Sequence, residues 1–390
     1  MSNKIPGDQF GVPFEQEEYD GRLTKVRKIM QEKGIDLFMV REPINIFYMT
    51  GYNTFGLSNY AILFIPIDGE LSLFVRYLEK QIAYKTTNLK NIYSWEDHEN
   101  PFEATKKLMQ EKNWLNKNVS FEMSTKAISL RDFEILKDTL GIDFVDGSGI
   151  IEEVRKIKSP IEVEFLKKAA RFTEAGMQAG MKSLAENKTE NEVTAKVYEA
   201  MIAAGSEFPA TNPIMTGGWK SGIPHTTFHR LKLKKGDVIL FEIGGVYNRY
   251  IAALMRSAVI GEPEEEVVHL NNICAEAVQA AIDKIKPGVT SGEVDEACRG
   301  IIEKAGYYEN FRKRTGYSIG CAYPPSWMEA HIIDLKKDDP RILEEGMVFH
   351  MPPALRVEGK YGVGVSETVL VTKNGCESIT NFDRKLYVAE

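Results

Sequence analysis

Apolar positions recur at helical spacing early in the chain, at Tyr19, Leu23, Val26 and Met30, and Gly34 supplies a stop. Residues 36–40 then read as a buried strand. Residues 60–66 and 71–76 have strand composition on either side of Ile67-Asp68-Gly69-Glu70, a turn signal, which predicts a hairpin. Helix and strand patterns alternate onward to about residue 150. This half is predicted to be α/β, and it contains no catalytic motif.

The pattern changes at Val154-Arg155-Lys156-Ile157-Lys158-Ser159-Pro160. Ser159 is a good N-cap, Pro160 suits the first helical position, and Glu162 completes a capping box. Behind it Ile161, Phe165, Ala169 and Phe172 form one apolar face. Thr189 with Glu192 opens a second helix carrying Val193, Val197 and Met201, and Gly205 ends it. Residues 264–285 form a third (Val267, Leu270, Cys274, Ala277, Ala281), and Thr290 with Glu293 cap a fourth. The β-rich stretches 237–260, 346–352 and 361–372 lie between and after these helices, so the second half is predicted to be α+β. The expected domains are residues 1–155 and 156–390.

Composition agrees with two globular domains: 390 residues, 43% hydrophobic and 27% charged. A net charge of -7, with Lys232-Leu233-Lys234-Lys235 as the longest basic cluster, argues against nucleic acid or an anionic membrane as partner. Cys274, Cys298, Cys321 and Cys376 form no C-x-x-C pair, so neither a zinc knuckle nor a redox motif is suggested. The first residues hold no apolar leader, and no apolar run approaches membrane-spanning length. A cytoplasmic protein is the expectation.

Several segments resemble a known family. Arg155 to Glu162 is similar to the helix opening at the domain junction of the creatinase/prolidase/aminopeptidase P family. Lys235 to Gly244 resembles its Gly-Asp strand, and Arg314 to Gly320 stands where the family has a Gly-Thr-Gly-His-Gly-Ile-Gly turn. Glu345 to Phe349 and Gly364 to Thr372 resemble its two closing strands. The matches keep family order across roughly residues 150–372 and imply an α/β N-terminal domain followed by an α+β pita-bread domain. Fold alone does not give function.

The departures are informative. Peptidases of this family hold two metal ions with two Asp, one His and two Glu. The corresponding positions here are Glu242, Ala253, Tyr317, Pro352 and Ser366. Alanine and proline side chains ligate nothing, so no metal and no other cofactor is expected. Creatinase hydrolyses a C–N bond with a histidine as acid/base, and His225 falls at the matching distance before Gly236-Asp237. Resemblance to ectoine hydrolase, a metal-poor member, is carried by Glu242-Ile243-Gly244-Gly245, by Arg314 to Gly320 with Tyr323-Pro324-Pro325-Ser326-Trp327, and by Glu367. Against identity, His350-Met351-Pro352-Pro353-Ala354 departs from that enzyme's segment.

His225, Glu242, Tyr317 and Glu367 are therefore the candidate catalytic residues. Imidazole exchanges protons near neutral pH. A carboxylate in the apolar strand around Glu242 needs a partner, for which Arg256 is the candidate, or a function. Tyr317 offers a donor to a developing oxyanion. Phe55, Tyr60, Trp327, His350 and Arg256 are candidates for substrate binding, the aromatics as a wall for a cationic or flat ligand. The expected activity is metal-independent hydrolysis of a small, polar cyclic amide or amidine, or a related zwitterion. A metal-dependent Xaa-Pro dipeptidase with rearranged ligands and a non-catalytic small-molecule binder stay open. The family implies a homodimer.

Overall fold

The structure, a computed structural model, describes residues 11–311 and 313–390. The chain separates into two compact units, one running to Arg155 and the other Lys156–Glu390.

The first unit contains α1 (Gln16–Glu32), β1 (Leu37–Val40), α2 (Pro43–Thr50), β2 (Ile62–Pro66), β3 (Ser72–Arg76), α3 (Lys80–Thr86), β4 (Asn91–Trp95), α4 (Pro101–Glu111), β5 (Val119–Phe121), α5 (Leu130–Leu140), β6 (Val145–Asp146) and α6 (Ile150–Arg155). Its sheet has the order β4-β3-β2-β1-β5-β6. The expected hairpin is β2–β3, antiparallel with Ile62 opposite Phe74. The β1–β5, β3–β4 and β5–β6 pairs are parallel, as α/β crossovers require. Leu37, Met39, Phe64 and Phe121 form its core with the apolar faces of α4 and α5.

The second unit opens with α7 (Pro160–Ser183) and α8 (Glu190–Ala203), followed by β7 (Ile214–Gly217), β8 (Val238–Tyr247), β9 (Tyr250–Ile260), α9 (Glu265–Lys284) and α10 (Ser291–Lys304). The short strands β10 (Gly316–Ser318), β11 (Asp334–Leu335), β12 (Val348–Met351), β13 (Ala354–Val357), β14 (Tyr361–Gly364), β15 (Glu367–Thr372), β16 (Gly375–Ser378) and β17 (Tyr387–Ala389) complete it. Capping boxes start α7, α8 and α10 at Ser159, Thr189 and Thr290. Each satisfies amide donors that a helix start otherwise leaves unpaired.

The long hairpin β8–β9 is the frame of this unit. Asn248 and Arg249, at φ 47° and 67°, make the two-residue turn with both centres left-handed that tight hairpins favour. Helices α7 and α8 cover one of its faces, packing Met177, Met181, Val193, Val197 and Met201 on Ile239, Phe241 and Ile243. The buried face of α7 is wider than the expected stripe because Gly176 and Gly180 admit α8. A Cβ on Gly176 would lie 2.4 Å from Met201 Cγ. Helices α9 and α10 pack on the second sheet, ordered β11-β10-β12-β15-β16.

Candidate active site

Side chains alternate across a strand. Because Ile239, Phe241 and Ile243 face α7 and α8, Glu242 faces the other way, into a cavity of about 1460 Å³ in the second unit. His225, Glu242, Lys313, Tyr317, Trp327 and Arg356 are among the residues that line it.

Glu242 makes no hydrogen bond or ion pair among the described residues. Burial pushes its carboxyl above the usual range, against the pull of Lys313, Arg356 and His225. Lys313 donates to the Pro352 carbonyl at 2.6 Å. Burial and then the Arg356 charge push the ammonium down to about 8. The Arg356 side chain makes no hydrogen bond among the described residues, and its Nε is buried without a partner. By contrast, Arg314 is tied to Asp334 at 3.6 Å and lies over the Tyr317 ring. Two cations thus face one carboxylate, and none of the three has a charged partner within contact among the described residues.

His225 is an exposed residue on the loop between β7 and β8, with a left-handed φ of 58° that is uncommon outside glycine. Hydroxyl groups pin this loop: Thr226 Oγ1 donates to the Ile223 carbonyl at 3.0 Å, and Thr227 Oγ1 to Pro213 at 2.8 Å. The fully buried Glu190 fastens its two ends. It accepts from the Gly217 amide at 2.9 Å, the His229 amide at 2.6 Å and Lys220 Nζ at 2.5 Å. His229 itself is exposed and lies beside Arg230.

Tyr317 on β10 stands opposite His350 on β12. Its hydroxyl accepts from Trp327 Nε1 at 2.9 Å and lies 3.0 Å from His350 Nδ1. The other imidazole nitrogen is 2.8 Å from Ser366 Oγ, and that hydroxyl oxygen accepts from the Met255 amide at 2.6 Å. Burial, with the Glu242 charge second, raises the phenol well above 10. His350 is fully buried and is pushed down to about 3, chiefly by desolvation and then by Lys313.

Several expectations require correction. Glu367 does not face the cavity. It is 2% exposed, pairs with Arg256 at 2.7 Å, and accepts from Arg384 and Thr380. Arg256 pairs in register with Phe241, on the face opposite Glu242, so it neither partners Glu242 nor reaches substrate. His350 lies behind Tyr317 and is not exposed to the cavity. Tyr60 is packed in the core of the first unit against Phe74 and Phe102, with its hydroxyl on Thr105. Phe55 is 81% exposed on that same unit. Lys313 and Arg356 were missed. Lys313 is hidden in the basic run Arg312-Lys313-Arg314, but Arg356 carried a signal, a charge in the apolar strand Ala354-Leu355-Arg356-Val357.

Residues 164–373 match the Metallopeptidase family M24, and residues 22–157 match the Creatinase/Prolidase N-terminal domain. The chain belongs to the M24 family. Ectoine hydrolase of Halomonas elongata is 30% identical over 97% of this chain and 99% of its own length. The Xaa-Pro dipeptidase of Pyrococcus furiosus is 29% identical over 94% and 99%. The prolidase structure from Pyrococcus horikoshii superimposes with a TM-score of 0.83 at 26% identity, covering 94% of this chain and 99% of that one. The Thermococcus sibiricus prolidase gives 0.85 at 28%, covering 95% and 99%.

The family name implies a metal centre, and the donor set tests that. Ala253 and Pro352 bear no donor, the Ser366 hydroxyl is held by Met255 and His350, and the Tyr317 phenol is held by Trp327 and His350. Among the described residues no group of three or more His, Cys, Asp or Glu side chains converges. These residues do not fit a dinuclear metal centre. No helix among the described residues is long and apolar enough to cross a membrane.

Proposed function

We propose that this M24 hydrolase opens a C–N bond of a small cyclic amidine or amide zwitterion, with ectoine or a close analogue as substrate, and does so without a metal ion. The observation that carries this is the charge pattern of the cavity: Glu242 faces Lys313 and Arg356, and none of the three has an ion-pair partner among the described residues. A cyclic amidinium carboxylate complements it, with its cationic ring toward Glu242 and its carboxylate toward the two cations. The likeness to an ectoine hydrolase supports the same class of substrate.

In this reading His225 takes a proton from water as the water oxygen bonds to the amidinium carbon. The C=N π electrons move onto a ring nitrogen. The resulting tetrahedral species then collapses: His225 returns its proton to the leaving nitrogen, the C–N bond breaks as the C=O bond forms, and the hydroxyl proton passes to the departing amine, so that an amide and an ammonium remain. Glu242 holds the cation in place before attack, and Tyr317 donates to the oxygen that arrives.

The test is turnover of a panel of ectoine-like, creatine-like and N-acyl compounds and of Xaa-Pro dipeptides. His225→Ala is expected to cut turnover of the ectoine-like substrate by roughly 10²–10⁴-fold, the usual worth of a positioned proton-transfer group. His229→Ala, on the same loop, should leave it near normal. Near-normal turnover in His225→Ala, or a larger loss in His229→Ala, removes the histidine from the mechanism. Cleavage of Xaa-Pro dipeptides alone would replace the reading with a dipeptidase, and binding without turnover would replace it with a small-molecule binder.

A further inference from the structure

The Tyr317–His350–Ser366 chain contains one buried imidazole that the proposed reaction does not use, and its hydrogen-bond balance has only one complete solution. Ser366 Oγ accepts from the Met255 amide. Its own proton has one acceptor within reach among the described residues, His350 Nε2 at 2.8 Å. A buried hydroxyl proton without an acceptor is unfavourable, so Nε2 accepts and the imidazole proton resides on Nδ1. Nδ1–H then donates to the Tyr317 oxygen at 3.0 Å, and that oxygen already accepts from Trp327 Nε1–H at 2.9 Å. Both lone pairs of the phenol are taken by fixed donors. Its O–H is the one bond left over, on a side chain that lines the cavity beside Glu242.

We infer that Ser366, His350 and Trp327 are positioning residues that lock Tyr317 as a hydrogen-bond donor directed into the cavity, so that the atom it meets in the transition state must be an acceptor. This rests on the proposed hydrolysis and sharpens it. An amidinium offers only N–H donors at the reacting carbon, so in the bound substrate the phenol has no acceptor there. The acceptor is the water oxygen, and it reaches that place only as the new C–O bond forms. The Tyr317 bond is therefore made in the transition state and not in the ground state, which is the arrangement that raises kcat without tightening binding. An imidazole that is neutral by burial cannot switch its donor and acceptor ends by taking a second proton.

The first arm of the test reads the tautomer directly and needs no substrate. Full-length protein labelled with ¹⁵N-histidine carries six histidines, and long-range ¹H–¹⁵N spectra report which ring nitrogen holds the proton. His350 is identified by its absence from His350→Gln and by its failure to titrate between about pH 5 and pH 8, where ordinary histidines do. A protonated Nδ1 with a bare Nε2 is expected, and a protonated Nε2 overturns the inference. The second arm is kinetic, with ectoine. Tyr317→Phe should lower kcat by roughly 10²–10³-fold, the usual worth of one oxyanion donor, with KM changed less than about twofold. His350→Asn, which keeps an N–H near the Nδ1 position, should retain more kcat than His350→Leu. Equal losses in the two His350 variants, or a Tyr317→Phe effect confined to KM, contradict the inference. Should wild-type protein leave ectoine untouched, the functional reading falls, and the tautomer still decides the assignment of Tyr317 as donor.

Discussion

Lys313 is the residue whose charge state is most exposed to test. Burial and the nearby Arg356 push its ammonium down from an ordinary 10.5 to about 8, with Glu242 opposing. The charged form exists below that value and is lost as pH rises through it. A substrate carboxylate held by Lys313 should thus bind well at neutral pH, and KM should climb above about pH 8. Lys313→Arg, whose guanidinium does not titrate in this range, should flatten the climb. Lys313→Met should raise KM roughly tenfold to a hundredfold at neutral pH, equivalent to about 1.5–3 kcal/mol for a charge-assisted hydrogen bond. A KM independent of pH in the wild type would remove Lys313 from substrate binding. Stability responds in the opposite sense: the unfolded chain binds this proton more tightly, so the contribution from Lys313 improves as pH rises from about 8 toward 10.5. Residues of this kind were only partly legible in the sequence. His225, Glu242, Tyr317 and Trp327 stand at motif positions, and the structure brings all four to one cavity. Glu367 lies away from the cavity because strand alternation sends Ser366 toward His350 and its neighbour Glu367 toward Arg256. Nothing in a basic triplet tells which lysine loses water until the neighbouring strands are in place.

At the scale of elements, the loop that presents His225 depends on Glu190, the first residue of α8. Its carboxylate is fully buried and fastens two backbone amides and Lys220, whose side chain is 11% exposed. Removing one partner of such a pair leaves a buried cation uncompensated, which costs about 3–5 kcal/mol. Glu190→Ala should lower the stability of the second unit by that order in urea melts. It should also speed amide exchange at Gly217 and His229, whose donors lose their acceptor. Unchanged exchange at both amides would show that the loop is held by its hydroxyl contacts alone. The start of α8 itself was legible, since the capping pattern Thr189-Glu190-Asn191-Glu192 is local chemistry, and the same holds for α7 and α10. The long-range use of Glu190 was not, because it depends on a loop 30–40 residues away closing over the helix start.

For the whole molecule, the α/β unit followed by an M24 unit was legible because the motifs keep family order along the chain, and family and fold comparisons agree. Assembly is a separate matter. We propose that the chain forms a homodimer: sedimentation equilibrium should return twice the chain's 44.0 kDa, and a single-chain mass at micromolar concentration would contradict it. We propose that this member of a metallopeptidase family cleaves a C–N bond with side chains in place of metal ions, since Ala253 and Pro352 stand where donors would be needed. The most direct measurement is ectoine ring opening by full-length protein dialysed against EDTA, with bound metal quantified on the same sample. The rate should be undiminished by chelation, with far less than one metal ion bound per chain. Loss of activity on chelation, restored by manganese, zinc or cobalt, would contradict it.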